Sequence, residues 1–322
     1  MVNIKDIAKI AGVSISTVSY ALNGSSRISE KTREKILAIA KELNYIPNAA
    51  GRNLKKKETK VIGAFIEDYS GAYFGKLFQG MRDALDILGY ELIICSGKES
   101  QLFIPERMID AAIILDSTFS SGRLIDYANR GHKLVVLDRE LDHPNINHIL
   151  LDNQKGAKIA IDFLVEKGHK KLYVIKGPDN NFDARQRLQA VRQTISNYVN
   201  VDYIEIAGDF GKLSGEQAAK QIVQEYEQPV AVFCFNDEMA IGMYNYLLKK
   251  TDFQIGKHIH IIGFDNIELS KYIQPSLSTI DYSRNHWGYL ASQHIVKMID
   301  NESVEHKIID VQLINRKSVQ TR

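Results

Sequence analysis

The chain has 322 residues, of which 44% are hydrophobic and 25% charged, and a net charge of only +2. No stretch approaches the ~18–20 apolar residues of a membrane span, and Met1 leads straight into a polar-capped helix with no apolar leader, so a cytoplasmic protein with no membrane partner is expected. Cys95 and Cys234 each lie inside an apolar run and read as buried reduced thiols, while the nine histidines show no paired metal spacing, which argues against a disulfide scaffold, a metal centre or any other cofactor.

At the N-terminus Asn3 is placed as an N-cap, with Asp6 three residues on as the acid of a capping box. Ile4, Ile7, Ala8 and Ala11 share one helical face, and Gly12 ends that helix. Ser14 caps a second helix whose inward side is Val18, Ala21 and Leu22, leaving Ile15, Ser16, Ser19, Tyr20 and Asn23 facing outward. A third helix starts at Ser29, carries Ile36, Ile39, Ala40 and Leu43 at helical spacing, and stops at Asn44, Tyr45 and Pro47. Three short helices on one small core have the spacing of a helix-turn-helix, although apolar periodicity alone fits a helical hairpin that reads nothing equally well. Charge separates the two readings. Residues 1–60 hold twelve Lys/Arg and five Asp/Glu, a net +7 against +2 for the whole chain and hence −5 for the remainder. Basicity confined to one head and its linker is the footprint of phosphate contact.

From Lys60 onward β-branched runs alternate with helical patterns, which predicts parallel sheet flanked by helices. The predicted strands are Val61–Glu67, Glu91–Cys95, Ala111–Leu115, Lys133–Leu137, His148–Leu151, Lys171–Ile175, Tyr203–Ile206, Val230–Phe235, His260–Phe264, Ser278–Asp281 and Ile308–Leu313. Helices are predicted near 74–88, 122–130, 153–167, 183–197, 212–226, 237–249 and 284–300, with Pro105 limiting any helix between Ser96 and Asp110. So many strands exceed one comfortable doubly wound sheet, so two lobes meeting at a cleft are expected. Open α/β sheets bind ligands outside the carboxyl ends of their strands, where Glu67, Asp68, Asp138, Asn236, Asp237, Asp265 and Asn266 stand. Asp and Asn in such places also serve as helix caps, and for Asp237 the cap is the preferred reading. The chain contains no Gly-x-Gly-x-x-Gly, Walker-type or Gly-x-Ser-x-Gly motif, and no enzymatic activity is expected.

Over almost its whole length the chain resembles the lactose-repressor/galactose-repressor family of bacterial transcriptional regulators. The resemblance rests on Ile4-Lys5-Asp6-Ile7-Ala8, Gly12-Val13-Ser14, Thr17-Val18-Ser19, Leu43-Asn44-Tyr45-Ile46-Pro47-Asn48, Leu137-Asp138-Arg139, Lys167-Gly168-His169, Asn236-Asp237, Gly263-Phe264-Asp265-Asn266 and Pro275-Ser276-Leu277-Ser278-Thr279-Ile280. It implies an all-α helix-turn-helix head (1–47), a hinge helix and linker (48–60), and an α/β, two-lobed, periplasmic-binding-protein-like core of two doubly wound parallel sheets (61–322). In the head it sets Ile15, Ser16 and Tyr20 against base edges in the major groove, with Thr17, Ser19 and Asn23 on phosphates or neighbouring edges. Asn48, Arg52 and Leu54 match the hinge, whose leucine wedges open the central base step of double-stranded operator DNA. The implied effector pocket is Tyr73, Phe74, Asp138, Asp183, Arg187, Phe210, Asn236 and Asp265.

Such a pocket suits the paired hydroxyls of a sugar, with Phe210 or Phe74 against the ring. Each residue also has a plainer reading: Tyr73 and Phe74 as core, Arg187 as a solvated helix charge, Asp183 as an N-cap. Arg284 stands where some sugar-responsive relatives carry an aromatic. The expected function is a homodimeric, sequence-specific repressor released from a palindromic operator by a small sugar or sugar derivative. The alternative is a purine-type corepressor stacked on Tyr73 and Phe74, which would strengthen operator binding.

Overall fold

The computed structural model describes residues 2–46, 58–67, 69 and 72–322. The chain divides into two compact units, Met1–Thr59 and Lys60–Arg322. In the first unit α1 (Ile4–Ala11), α2 (Ile15–Leu22) and α3 (Glu30–Glu42) follow the caps read from the sequence. Asn3 and Asp6 form the capping box, Gly12 closes α1 at φ 69°, and Ser14 and Ser29 accept from the Thr17 and Thr32 amides at 3.1 and 3.3 Å. Ile7, Val18 and Ile36 are fully buried at the centre of the head. Lys35 donates to the Ala11 carbonyl at 2.9 Å, so one basic side chain neutralises the negative end of α1.

The second unit holds two six-stranded sheets. The first lobe is ordered β11-β5-β4-β3-β1-β2, from β1 (Val61–Ile66), β2 (Glu91–Cys95), β3 (Ala111–Leu115), β4 (Lys133–Val136), β5 (Ile146–Leu151) and β11 (Lys307–Ile309). The second is ordered β12-β10-β9-β8-β6-β7, from β6 (Lys171–Ile175), β7 (Asp202–Ile206), β8 (Val230–Cys234), β9 (Ile259–Phe264), β10 (Ser278–Asp281) and β12 (Gln312–Ile314). Every pairing is parallel except β10 with β12. Central strands such as β8 and β9 are buried throughout, whereas edge strand β7 alternates, with Asp202 and Ile204 exposed and Tyr203 and Glu205 half-buried. In each lobe the connections reverse direction beside the first strand, between β1 and β3 and between β6 and β8, which places a ligand crevice at the carboxyl ends of those strands.

Helices α4 (Gly75–Leu88), α5 (Ser121–Asn129) and α10 (Arg284–Ile299) cover the first sheet, and α6 (Asn153–Glu166), α7 (Phe182–Ile195), α8 (Lys212–Gln224) and α9 (Asp237–Lys250) the second. Pro105 acts as expected: only a short 3-10 turn, Glu99–Phe103, precedes it. The predicted strand Ile308–Leu313 is corrected by the structure. Its first half pairs with β5 and its second half with β10, so it is two strands in two lobes. Apolar periodicity is the same in both halves and carries no information about which sheet receives them.

The chain therefore crosses between lobes three times, after Leu151, after Asp281 and after Ile309. Each lobe also contains one close helix pair built on glycines. A methyl group at Gly80 or Gly288 would overlap the Asn285 or Leu77 carbonyl across the α4–α10 contact, and one at Gly215 or Gly242 the Met239 or Lys212 carbonyl across α8–α9. Backbone cannot yield as a side chain does, so Gly80→Ala and Gly242→Ala are expected to destabilise the protein by roughly 1–3 kcal/mol or more despite their better helix propensity. Gly122→Ala on α5, where the added methyl meets nothing within 4 Å, serves as the control and should be neutral or stabilising. Thermal melts in which all three variants behave alike would refute the close-contact explanation.

Candidate functional site

In the head, Ile15 is 45% exposed at the start of α2, Ser16 and Thr17 follow on its first turn, and Ser19 and Tyr20 are half-buried on the next. The Ile15 side chain has no place in the small core, which leaves an apolar group on a polar, basic surface. Ser14 and Thr17 share a 2.8 Å hydroxyl contact, so the α2 N-cap orients Thr17. The Tyr20 hydroxyl accepts from Arg27 at 3.2 Å, and the guanidinium lies 5.5 Å from the ring centre, which links a fixed cation to the phenol. Asn23 is the C-cap of α2, and its side-chain amide donates to the Ser19 carbonyl at 2.7 Å. Asn48, Arg52 and Leu54 lie outside the described residues.

In the core, Tyr73, Asp183, Arg187 and Asp265 come together between the lobes. The Asp265 carboxylate accepts from Tyr282 at 2.9 Å, and the Tyr282 and Tyr73 hydroxyls share a 3.0 Å hydrogen bond, so a chain of polar groups joins the first lobe to the second. The Ala72 amide and Glu238 Oε1, 3.3 Å apart, form a further bridge. Arg187 is 3% exposed, which removes the reading as a solvated helix charge. Its Nε donates to Asn153 Oδ1 at 2.8 Å, its Nη1 to the Phe235 carbonyl, and its guanidinium lies over the Phe264 ring, 3.6 Å from the ring centre. Asn153 in turn donates to Asp183 Oδ1 at 2.8 Å, while the cap of α7 is Asn181, so Asp183 is not the N-cap.

Asp265 and Asn266 hold φ values of 107° and 48°, conformations that cost non-glycine residues about 1–3 kcal/mol each. The turn persists because Asn266 is held by the Asp281 carboxylate at 2.8 Å and by Arg316 at 2.6 Å. Burial raises the Asp265 carboxyl to about 6 against the pull of Arg187 and Arg284, and burial likewise raises Asp183 against Arg187. Desolvation pushes the Tyr73 hydroxyl up, with Asp265 adding to it. Burial thus holds two carboxyls, a guanidinium and a phenol in one cluster between the lobes.

The remaining predicted ligands have other partners. Asp138 is buried in a two-point pair with Arg139, at 2.9 and 2.7 Å, and Arg139 also donates to the Asp116 and Phe119 carbonyls. Asn236 caps α9 through the Met239 amide and donates to the Phe210 carbonyl at 2.8 Å. Phe210, at φ 67°, lays its ring over Gly177, where a β-carbon would collide with it. Phe74 stacks on Phe78 with ring centres 5.5 Å apart and stands edge-on to Tyr73. Asp237 is corrected: Asn236 is the cap, and Asp237 is wholly buried, accepting from Ser270 at 2.5 Å, Thr279 at 2.6 Å and the Ile267 amide at 3.0 Å. Two cleft residues, Tyr282 and Asn153, carry no sequence signal, because a tyrosine after a strand and an asparagine at a helix start are commonplace. Among the described residues no cluster of His, Cys, Asp and Glu is arranged to hold a metal ion, and no helix is long and apolar enough to cross a membrane.

Residues 3–48 match the model of bacterial regulatory proteins of the lacI family, and residues 161–319 that of a periplasmic binding protein-like domain. The repressor PurR of Histophilus somni is 30% identical, covering 100% of both chains. The chain belongs to the LacI family. A sugar-binding transcriptional regulator of this family from Enterococcus faecalis is 44% identical over 81% of this chain and 98% of its own, with a TM-score of 0.77. The Lac repressor dimer bound to operator and the anti-inducer ONPF superimposes with a TM-score of 0.82 at 27% identity, covering 99% of both chains. The protein is a DNA-binding transcriptional repressor of the LacI family.

Within the LacI-family core Asp237 makes a pH-dependent contribution. Burial first, and Asp265 second, push its carboxyl up to about 7, against the three donors around it. An unfolded aspartate titrates near 3.9. Between about pH 4 and pH 7 the folded state therefore binds a proton that the unfolded state has released, and this contribution to stability falls as pH rises. The stability of the wild type relative to Asp237→Asn should thus decline by a few kcal/mol between pH 5 and pH 8, because one proton bound only in the folded state is worth ~1.4 kcal/mol for each pH unit crossed below the folded pKa. Urea melts at both pH values read it directly, and parallel curves for the two proteins would reject it.

Proposed function

We propose that this repressor acts as a homodimer and is released from a palindromic operator by a small sugar or sugar derivative bound between the lobes of its core. The observation that carries this reading is the convergence of Asp183, Arg187, Asp265 and Tyr73 in one desolvated cleft. Carboxylates accept and a guanidinium donates, which matches vicinal hydroxyls in pairs. In this reading Ile15, Ser16 and Tyr20 meet base edges, Thr17, Ser19 and Asn23 meet the backbone or neighbouring edges, and the segment with Asn48, Arg52 and Leu54 enters the minor groove. A hinge helix of about seven residues is far below the ~12–15 needed for marginal stability alone, so it would form only with DNA and its dimer mate. Ligand at the cleft changes how the first lobes of the dimer sit together, and effector and operator are then reciprocally coupled.

The PurR relative favours a second reading, a purine-type corepressor. The stacking of Phe74 on Phe78 occupies one face of that ring and Tyr73 stands edge-on to it, so Phe74 offers a flat base at most one face. Fluorescence anisotropy of the full-length protein on a labelled palindromic operator, titrated separately with sugars and with nucleobases, tests both. Release by a sugar is the expected result. Tighter operator binding with a nucleobase, and no response to sugars, would replace the first reading by the second.

A further inference from the structure

Arg284 is the first residue of α10, directly after the chain crosses from β10 back to the first lobe, and it is 3% exposed. Its Nη2 donates to the Asn266 carbonyl at 3.0 Å, but its Nε and Nη1 have no hydrogen-bond partner among the described residues. The guanidinium carbon lies 5.7 and 6.0 Å from the ring centres of Tyr73 and Tyr282, the two phenols that link the lobes. The guanidinium that carries the unmatched donors therefore sits beside the two phenols at the lobe boundary. The other interior arginines of the core differ: Arg139 is tied to Asp138 and two carbonyls, Arg187 to Asn153 and Phe235, and Arg316 to Leu277 and Asn266. A permanent charge buried with donors unmatched is costly unless something supplies an acceptor.

We propose that the effector carries a carboxylate, making it a sugar acid, and that Arg284 is the residue that receives it. This rests on the reading that a sugar derivative occupies the interlobe cleft. A hydroxyl would satisfy a donor but add no charge to the partial compensation that Asp265 gives, whereas a carboxylate forms charge-assisted bonds with a planar guanidinium. The amino end of the sixteen-residue α10 lies at the same point and adds positive potential. Asp265, whose carboxylate feels the Arg284 charge, already accepts from Tyr282 and makes no hydrogen bond to Arg284. A single negative charge also fits better than a phosphate dianion, because Asp183 and Asp265 line the same space and Arg187 is engaged by Asn153 and Phe235.

The only tryptophan, Trp287, is fully buried three residues beyond Arg284, with its ring centre 6.0 Å from that of Tyr282, and it reports on this site by fluorescence. Full-length protein is titrated with hexuronic and hexonic acids, the neutral hexoses of matching stereochemistry, and hexose phosphates. An acid should bind roughly ten- to a hundredfold tighter than its neutral counterpart, the range of a charged hydrogen bond. Arg284→Gln should reduce that preference to within about threefold without lowering the melting temperature of the unliganded protein, and Arg284→Lys, which keeps the charge but not the planar donors, should retain an intermediate preference. The proposal is overturned if neutral hexoses bind as tightly as the acids, if no acid binds, if binding is confined to phosphates, or if Arg284→Gln leaves the preference intact. Operator release by a neutral sugar would sink this inference but keep the sugar reading, whereas binding of nucleobases alone would sink the sugar reading itself.

Discussion

Operator affinity is expected to fall by roughly three to five orders of magnitude between about 50 and about 200 mM salt, the behaviour of a protein that neutralises some 6–10 phosphates. The cause is the charge distribution: residues 1–60 carry net +7 in a chain of net +2, and two heads meet one operator in the proposed dimer. Not every cation is available to DNA. Lys35 is engaged by the Ala11 carbonyl, and Arg33 by Ser25 and Glu30. In the described part of the head Lys5, Lys9, Lys31 and Lys41 are the expected sources of phosphate contacts, whereas Arg27 is held on Tyr20. Anisotropy measured across a salt series gives the slope of log affinity on log salt, with about 0.9 lost per phosphate neutralised. A slope near zero would contradict electrostatic anchoring by the head.

Arg187→Ala is expected to abolish effector-triggered release and to lower the stability of the core by about 3–5 kcal/mol, as when one partner of a buried charged network is removed. The substitution leaves Asp183 without its neighbouring guanidinium, Asn153 Oδ1 and the Phe235 carbonyl without a donor, and the Phe264 ring without its cover. Asp265→Asn is the companion variant, because it keeps the shape and a Tyr282 contact while removing the charge. It should weaken the effector response with a much smaller change in melting temperature. Thermal denaturation and operator anisotropy with effector separate the two outcomes. An Arg187→Ala protein that melts with the wild type, or that still releases DNA at ordinary effector concentration, would show that this guanidinium neither braces the cleft nor reads the ligand.

Local signals carried the reading wherever a residue interacts with its own neighbours in sequence. Asn3, Gly12, Ser14 and Ser29 end or begin the head helices as their chemistry dictates, because a cap needs only an amide two or three residues away. Pro105 limited the helix before it for the same reason. Apolar runs placed the central strands, since burial on both faces leaves an unbroken hydrophobic stretch. Asp237 shows where local reasoning stops. Its position at a helix start suggested a cap, yet its partners Ser270 and Thr279 are 33 and 42 residues away, a distance that no periodicity encodes.

By itself the sequence determined the class of the protein: a basic three-helix head on a two-lobed α/β core, with the charge asymmetry and the apolar spacing written in consecutive residues. The tertiary structure alone decided which polar groups meet. It divided the run Ile308–Leu313 between two sheets, engaged Asp138 and Asn236 with partners inside their own lobes, and brought Tyr73, Tyr282 and Asp265 into one hydrogen-bonded chain. It also left Arg284 buried with two donor nitrogens unmatched among the described residues. The physical reason is the same in each case: hydrogen bonds and charge pairs are short-ranged in space but indifferent to separation along the chain, so only the packed lobes fix their partners.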